Sequence, residues 1–370
     1  MKIILHIDLN AFFAQAEILK NSSLSGKPIA VGYDSRRGVL STASYEARKY
    51  GVSSGMPVSM AKEKCPSLIL VASDYHYYSR LSKGFMSYLH RIFPILEQAS
   101  IDECYVDATS VFHSDRLEEE LFDLQMSIYR NTQLKCSIGC SYNRFLAKMA
   151  SDMKKPLGIT IIHKEDIPEM IWPLAIKDMF GIGKKTYPRL EAIQIKTIGD
   201  LARTDSLEAK KILGSLFVHY RELANGYGSD ELDTSAFDPK SISAERTFKD
   251  DVTDFDDVKS MLSTCASEVY QELIFYGKMS DTVVVKLRNS DFITKSKRRK
   301  IDHMISSKEE LLMVALNIYE SFYQGEPLRL VGLGLEHVVD GNGRQKPEKK
   351  EETEENTIFF QEKGDDDESF

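Results

Sequence analysis

Three acidic residues have the chemistry of a divalent-cation site. Asp102 and Glu103 lie side by side in ASIDECYVDAT, residues 99–109, within an otherwise strand-like run. Consecutive residues of a flat strand point to opposite faces, so the backbone must bend if both carboxylates are to bind one ligand. Asp8 ends the run LHID and is the natural third acid, and the backbone carbonyl of Leu9 stands beside it. Hard oxygen ligands of this kind bind Mg²⁺.

Two Mg²⁺ ions held by carboxylates about 3.5–4 Å apart are the usual device for in-line nucleotidyl transfer. Such ions would also solve a problem of charge, because buried acids without a counter-ion repel one another and bind protons more readily. Taken alone, however, Asp102 and Glu103 also fit ordinary turn acids, and Asp8 also fits a strand-end cap. The choice between these interpretations depends on the rest of the sequence.

Phosphate-binding chemistry is present elsewhere in the chain. Tyr45 and Arg48 are three residues apart in YEARKYG, so a helix would place a phenol and a guanidinium fork on one face. Lys155, near the end of SDMKKPLG, could reach the same phosphates. Two adjacent aromatic residues, Phe12 and Phe13, stand in NAFFAQ. On their own, these residues also fit a solvated helix face and ordinary core packing.

The run FGIGKKT, residues 180–186, predicts a turn before a helix. Its pattern is G-x-G-x-x-T, formed by Gly181, Gly183 and Thr186, with Lys184 and Lys185 between them. The exposed backbone N–H groups of such helix-hairpin-helix turns bind DNA phosphates without reading the base sequence. A single match of this kind is weak evidence by itself.

The composition is that of an ordinary globular protein with unevenly distributed charge. The 370 residues are 42% hydrophobic and 28% charged, with a net charge of −8. Residues 341–370 contribute −5 of this charge, so the rest of the chain does not exclude a polyanionic partner, and KSKRRK (295–300) favours one. The N-terminal apolar patch is only about five residues long, and no stretch predicts a signal peptide or a membrane span. Five scattered cysteines without a CxxC pair fit free thiols in a reducing cytoplasm.

The hydrophobic pattern predicts a mixture of helices and strands. Strands are expected in KIILHIDL, GVLSTAS, SLILVASD and KCSIGCS, a hairpin over 95–112, and long helices over 75–93 and 115–133. Residues 165–235 are expected to form a small helical unit, and residues 255–338 a second compact unit of helices and strands. This order predicts an α+β, multidomain fold with helices packed on one sheet.

These motifs occur together and in one order. The runs concerned are HIDLNAFFAQAE, GVLSTASYEARKYGVSSGMP, SIDECYVDAT, CSIGCSYNRFLAKMASDMKKPLG, GIGKKT and SISAERTF, over about residues 3–250. Two later runs, VVVKLRNSDF and LRLVGLGL, extend the likeness to about residue 338. In these runs the chain resembles the Y-family of translesion DNA polymerases, most closely the bacterial DNA polymerase IV branch.

The resemblance implies a palm, fingers and thumb polymerase core followed by a little-finger domain. The thumb would contain the helix-hairpin-helix motif, and the α+β little finger would bind DNA. The implied boundaries are 1–10 and 75–165 for the palm, 11–74 for the fingers, 166–232 for the thumb, 233–240 for a linker, 241–340 for the little finger, and 341–370 for an acidic tail that is expected to be disordered.

The resemblance also assigns roles to individual residues. Asp8, Asp102 and Glu103 match the catalytic carboxylates, which with the Leu9 carbonyl would hold two Mg²⁺ ions. The residues that match the nucleotide-binding set are Tyr45, Arg48 and Lys155 for the triphosphate, Phe13 for the steric gate that would clash with a ribose 2′-OH, Phe12 beside it, and Ser41 and Thr42 for the roof over the nascent base pair.

DNA-backbone contacts are implied in two places. In the thumb they would come from the GIGKKT turn with its glycines, Lys184, Lys185 and Thr186. In the little finger they would come from Arg298 and Arg299. The run RRKIDHMISS (298–307) is more basic than the family's usual strand, which leaves lesion preference and DNA affinity open.

The implied function is error-prone translesion synthesis, in which a primer 3′-OH attacks the α-phosphate of a dNTP on a DNA template. No proofreading exonuclease is expected, because no second acidic cluster stands in a domain of its own. The implied partners are primer–template DNA and dNTPs, and the protein is expected to be a cytoplasmic monomer. The tail segment Asn356–Phe360, NTIFF, is a candidate for binding the replicative sliding clamp.

Two alternatives belong to other functional classes. A nucleotide cyclase on a related palm would need metals and carboxylates, but neither GIGKKT nor a second DNA-binding unit. A DNA-binding protein without catalytic activity would not need all three acids together with Tyr45, Arg48 and Lys155.

Overall fold

The computed structural model describes residues 2–113, 115–235 and 237–341. These residues form two compact units, the first comprising residues 2–34 and 38–235 and the second residues 35–37 and 237–341. The predicted clamp-binding segment Asn356–Phe360 and the other tail residues from 342 onward lie outside the described residues. Within the described ranges, no helix is long and apolar enough to cross a bilayer.

The strands of the first unit form two sheets. Their bounds are β1 (Ile4–Leu9), β2 (Ile29–Gly32), β3 (Leu40–Ala43), β4 (Ile69–Val71), β5 (Leu96–Gln98), β6 (Glu103–Asp107), β7 (Cys136–Ser141) and β8 (Ile159–Ile161). The larger sheet has the order β5-β6-β1-β7-β8, with β1 antiparallel to both neighbours and β7 parallel to β8. The smaller sheet has the order β3-β2-β4.

The helices of the first unit lie between and after these strands. Their bounds are α1 (Phe12–Lys20), α2 (Tyr45–Arg48), α3 (Val58–Lys64), α4 (Tyr75–Ile92), α5 (Leu117–Thr132), α6 (Arg144–Met153), α7 (Tyr187–Glu191), α8 (Ile198–Arg203), α9 (Leu207–Leu213) and α10 (Phe217–Ala224). Short 3₁₀ or π turns occur at Ser22–Leu24, Lys164–Asp166, Ile167–Ile171, Ile176–Asp178 and Gly214–Leu216.

Local sequence signals explain where the main helices begin and end. The Asp74 carboxylate accepts a hydrogen bond from the Tyr77 N–H at 3.1 Å at the start of α4, and Pro94 follows its end. Helix α6 begins at the cap Asn143, whose side chain accepts from the Leu146 N–H at 2.9 Å.

The core of the first unit lies against the larger sheet. All six residues of β1 are buried, and apolar residues of α4 and α5 pack with those of β1, β6 and β7 in one cluster. Helix α6 packs against β1, β7 and β8. Helices α7–α10 share a separate apolar cluster with α6. The helical nature predicted for residues 165–235 is therefore observed.

The second unit is a four-stranded antiparallel sheet covered by two helices. Its elements are β9 (Ile242–Val252), α11 (Phe255–Phe275), β10 (Lys278–Met279), β11 (Thr282–Asn289), β12 (Thr294–Lys300), α12 (Lys308–Glu320), β13 (Leu328–Glu336) and β14 (Val339–Asp340). The sheet order is β12-β11-β13-β9, and both helices pack with its apolar residues. Together the two units confirm the α+β class predicted from the sequence.

Candidate active site

The pairing of β1 with β6 places two of the predicted carboxylates opposite each other. Asp8 is the register partner of Glu103. Asp102 lies in the bend just before β6, where its carbonyl accepts a hydrogen bond from the Leu9 N–H at 3.0 Å. This backbone hydrogen bond therefore holds the end of β1 against the bend that contains Asp102.

Ser100 shapes that bend, although the sequence analysis did not single it out. Its hydroxyl accepts hydrogen bonds from the N–H groups of Asp102, at 3.2 Å, and Glu103, at 3.1 Å. The same hydroxyl donates to Asp102 Oδ1 at 2.7 Å. A serine two or three residues before the acids was the available signal, because serine side chains commonly bond to nearby backbone N–H groups in turns.

Two lysines approach the carboxylates from α6 and from the segment after it. Lys148 Nζ lies 2.7 Å from Glu103 Oε1 and 3.5 Å from Asp8 Oδ2. Lys155 Nζ lies 2.5 Å from Asp8 Oδ2. Asp152 lies 3.6 Å from the Lys148 ammonium and 2.7 Å from that of Lys155. Sequence reasoning missed Lys148 and Asp152, whose i,i+4 spacing was the signal that could have indicated their pairing.

Burial and mutual proximity separate the pKa values of the acids. Burial, together with the neighbouring Glu103, raises the pKa of Asp8 to about 7. Burial would also raise the pKa of Glu103, but His6, Asp8 and the hydrogen bond from Lys148 outweigh it and hold that pKa far below its usual value. Burial raises the pKa of Asp102. Of the two acids that face each other, Asp8 therefore binds a proton more readily than Glu103.

His6 lies beneath the carboxylates and is completely buried. Its Nδ1 is 2.8 Å from the Ser151 hydroxyl, which itself donates to the Lys148 carbonyl at 2.9 Å. Burial lowers the pKa of His6, against the opposing effect of the neighbouring Glu103 carboxylate. Its Nε2 has no hydrogen-bond partner and stands 3.7 Å from Glu103 Oε2.

The donor set fits magnesium chemically, although the side chains are not gathered as a finished metal site. Among residues 2–113, 115–235 and 237–341, no three His, Cys, Asp or Glu side chains are grouped closely enough to hold a metal ion. In this conformation Lys148 pairs with Glu103 and Lys155 pairs with Asp8. Carboxylate oxygens are the ligands that Mg²⁺ prefers. Burial raises the pKa of Asp8 and of Asp102, and a bound cation would favour their ionised forms.

A cavity of about 220 Å³ adjoins the carboxylates. It brings together ten of the residues that the sequence singled out: Asp8, Leu9, Phe12, Phe13, Ser41, Thr42, Tyr45, Arg48, Asp102 and Lys155. Ala11 and Ser54 also line it, whereas Glu103 is not among its lining residues. Residues from β1, α1, β3 and α2 thus converge on one cavity, as required of a nucleotide site.

Aromatic contacts fix the ring of Phe13 at the cavity wall. It stacks on Tyr78 with 4.6 Å between centroids and 18° between planes, and Tyr75 packs edge-on at 5.6 Å. The Tyr78 hydroxyl donates to the buried Glu17 carboxylate at 2.6 Å. Phe12 turns into the core, where it is 2% exposed. The two adjacent aromatics therefore have different surroundings, and only Phe13 remains partly open.

Tyr45 and Arg48 lie on one face of α2, as their spacing predicted. The Arg48 guanidinium lies 4.7 Å from the centroid of the Tyr45 ring, and its Nε donates to the Ala43 carbonyl at 3.0 Å. The cap Ser44 accepts a hydrogen bond from the Ala47 N–H at 3.3 Å and fixes the start of this short helix. The remaining guanidinium N–H groups and the phenol can therefore be offered to an anion in the cavity.

The GIGKKT turn lies apart from the cavity lining. Gly181 has φ +92°, and the Tyr220 hydroxyl donates to its carbonyl at 2.8 Å. A Cβ at Gly181 would lie 2.9 Å from that hydroxyl, so both the backbone conformation and the close approach require glycine. Lys184 and Lys185 are exposed, in keeping with a surface for phosphates.

Arg298 and Arg299 lie on β12 of the second unit and point to opposite faces. Arg298 is paired with the half-buried Val284, and Arg299 with the fully buried Val283. Arg298 therefore shares the open face of the sheet, where it lies 3.5 Å from Glu336. On the same face Lys286 forms an ion pair with Glu245. Adjacent arginines in the sequence thus do not form one patch.

Family models match most of the chain. The impB/mucB/samB family matches residues 7–152, its C-terminal domain residues 239–347, and the helix-hairpin-helix motif of the same family residues 164–195. The DNA polymerase IV of Oceanobacillus iheyensis is 37% identical over 338 residues, which cover 90% of this chain and 81% of that protein. The DNA polymerase IV 1 of Bacillus subtilis is 35% identical over 335 residues, with the same coverage of 90% and 81%.

Solved structures agree with these relatives. A Y-family DNA polymerase chimera of Dbh and Dpo4 superposes with a TM-score of 0.82 at 26% identity, covering 92% of this chain and all of that one. An insertion ternary complex of Dbh DNA polymerase has a TM-score of 0.63 at the same identity and coverage. The chain therefore belongs to the Y-family of DNA polymerases, in the DNA polymerase IV branch.

Proposed function

We propose that this chain is a DNA-directed DNA polymerase that adds dNTPs to a primer 3′-OH, carries out error-prone synthesis across damaged templates and lacks a proofreading exonuclease. The observation that carries the proposal is the cavity in which Asp8 and Asp102 meet an aromatic ring, a guanidinium and an ammonium. Family membership supports the same activity, since relatives that span most of this chain bear the name DNA polymerase IV.

Asp8, Asp102 and Glu103, with the Leu9 carbonyl, would hold two Mg²⁺ ions. When bound, such ions lower the pKa of the attacking hydroxyl and neutralise charge on the phosphates. Tyr45, Arg48 and Lys155 would bind the triphosphate oxygens. Arg48 is positioned for this by its bond to the Ala43 carbonyl, so that the fork is oriented before the nucleotide arrives.

Phe13 would exclude ribonucleotides, because its ring is fixed at the cavity wall by Tyr78 and Tyr75. Ser41 and Thr42, on β3, would cover the nascent base pair from the opposite side. Small side chains there leave room for altered bases and slipped templates. Low fidelity and tolerance of damage follow from that space together with the absence of proofreading.

Primer–template DNA is the proposed macromolecular partner. The GIGKKT turn and the open sheet face with Arg298 supply groups that bind phosphates without reading the base sequence. Solved relatives include an insertion ternary complex and a post-insertion binary complex of Dbh DNA polymerase. We further propose a cytoplasmic monomer that binds the sliding clamp weakly through Asn356–Phe360.

Primer extension tests the proposal. The wild-type chain, with Mg²⁺ and dNTPs on an undamaged template, should extend the primer, and Asp102→Ala/Glu103→Ala should not. Glu118→Ala/Glu119→Ala, a matched loss of two acids on the exposed first turn of α5, should extend normally. Equal extension by the wild type and the Asp102/Glu103 variant would contradict the assignment of the site.

A further inference from the structure

Lys148 is buried between the two carboxylates that face each other across β1 and β6. Its side chain is 10% exposed, and its ammonium contacts Glu103 at 2.7 Å and Asp8 at 3.5 Å. Lysines are almost never buried without an opposite charge, because desolvation of an unpaired ammonium is costly. Glu103 and Asp8 supply that charge, so the ammonium is at the place where the acids converge.

A second carboxylate is available to this lysine outside the pair. Asp152, one turn further along α6, lies 3.6 Å from the Lys148 ammonium and is half-exposed. It also pairs with Lys155, whose ammonium holds Asp8 from another direction. Both lysines can therefore withdraw from the buried acids towards Asp152 without losing every ionic partner.

We propose that Lys148 is the resident counter-cation of the catalytic acids: in the free enzyme its ammonium occupies the space between Asp8 and Glu103, competes with divalent cations there, and so sets the affinity of the site for them. This inference rests on the proposed function, because it takes these acids to be the cation ligands. Lys148 contributes no ligand atom to the cation, and it affects cation binding before any nucleotide is present.

The size of the effect follows from the competition. The apparent affinity for a cation is the intrinsic affinity multiplied by the fraction of molecules in which the ammonium has withdrawn. If the paired state outnumbers the withdrawn state by about ten to one, removing the ammonium tightens cation binding about tenfold. Loss of a positive charge within a few ångströms of the bound cation acts in the same direction.

Mn²⁺ binding to the full chain, without DNA or nucleotide, tests the proposal. The free Mn²⁺ signal in electron paramagnetic resonance gives the dissociation constant for the wild type, Lys148→Met, Lys148→Arg and Lys154→Met. Methionine keeps the unbranched shape and removes the charge, and Lys154 is an exposed lysine in the same segment. We expect at least about tenfold tighter binding for Lys148→Met, and no change beyond twofold for the other two variants.

Unchanged or weaker binding by Lys148→Met overturns the proposal, as does the absence of Mn²⁺ binding by every variant. If Lys148→Met does not fold, the ¹³Cε lysine resonances of the wild type, titrated with Ca²⁺, decide the question. The Lys148 resonance, assigned by its loss in Lys148→Arg, should move as the site fills, and a stationary resonance overturns the proposal.

The outcome can be separated from that of the proposed function. Asp8→Asn should weaken Mn²⁺ binding if the acids are the ligands, whatever Lys148 does. Primer extension by the wild type reports on the polymerase alone. An active polymerase whose Mn²⁺ affinity is the same in Lys148→Met refutes only the role of Lys148.

Discussion

Phe13→Val should admit ribonucleotides, and the packing of the ring sets the size of the effect. Phe13 stacks on Tyr78 and meets the edge of Tyr75, and each such aromatic contact is worth about 0.5–1.5 kcal/mol. The ring therefore cannot turn away from a 2′-hydroxyl at low cost. Forcing extra atoms against packed side chains costs about 1–3 kcal/mol. We take this as the penalty on a ribonucleotide.

At about 1.4 kcal/mol per factor of ten, that penalty corresponds to a discrimination of about 5- to 150-fold. Phe13→Val removes the ring, so the ratio of kcat/KM for dCTP over CTP should fall by such a factor. Insertion of dCTP should fall less, because the deoxyribose loses only packing. The change is therefore one of selectivity more than of activity.

Single-nucleotide insertion opposite a template guanine, with dCTP and CTP in parallel, measures this ratio. Phe93→Val is the matched control, since it removes a fully buried ring from the same apolar core without lining the cavity. The control should lose stability and keep its sugar selectivity. A Phe13→Val variant that rejects CTP as well as the wild type would refute the reasoning.

Three other predictions concern the GIGKKT turn, the open sheet face and Asp8. Tyr220→Phe removes the hydroxyl that donates to the Gly181 carbonyl, so we expect about 2- to 10-fold weaker DNA binding in an anisotropy titration and an unchanged insertion rate at saturating DNA. Equal DNA affinities of the variant and the wild type would contradict the role of that hydrogen bond. Glu245→Gln and Glu336→Gln release Lys286 and Arg298 from their ion pairs, so we expect tighter DNA binding and a steeper dependence of DNA affinity on salt concentration. An unchanged salt dependence would count against the open sheet face as a DNA surface. The pKa of Asp8 is raised from an ordinary 3.8 to about 7, so the metal-free native state holds a proton that the unfolded chain releases; this stabilisation is full below about pH 4 and is lost as pH rises through 7. Asp8→Asn should therefore flatten the fall in melting temperature between pH 5 and 8, and a variant with the full fall would show that another group causes it.

The main elements of the site could be predicted because their signals are local. The continuous apolar run before Asp8 predicts a buried strand, and the adjacent acids at 102 and 103 require a bend. The three-residue spacing of Tyr45 and Arg48 predicts that both lie on one face of their helix. Each of these features depends on residues within one turn or one strand, and the structure brings ten predicted residues to one cavity.

The residues that were missed depend on contacts between distant segments. Lys148 is one of three lysines within eight residues, and its spacing from Asp152 indicates an ion pair but does not show which of the three lysines is buried. Its distinction is a contact with Glu103, 45 residues away. The bond from Tyr78 to Glu17 spans 61 residues and involves a glutamate that reads as an exposed helix residue. Such pairs become visible only when the strands and helices are packed.

Ion pairs are equally difficult to predict, because a sequence gives only the sum of the charges, whereas a structure shows which charged groups are paired. KSKRRK is one basic run in the sequence, but strand alternation sends Arg298 to one face and Arg299 to the other. Lys286 and Arg298 on the open face already have acids beside them, and so does Lys155 in the cavity. Binding of DNA, nucleotide or metal therefore exchanges one counter-ion for another. Because the ion pair within the protein must break first, each ligand binds more weakly by the free energy of that pair. Neutralising the acid or base that forms the pair removes this cost and makes it measurable.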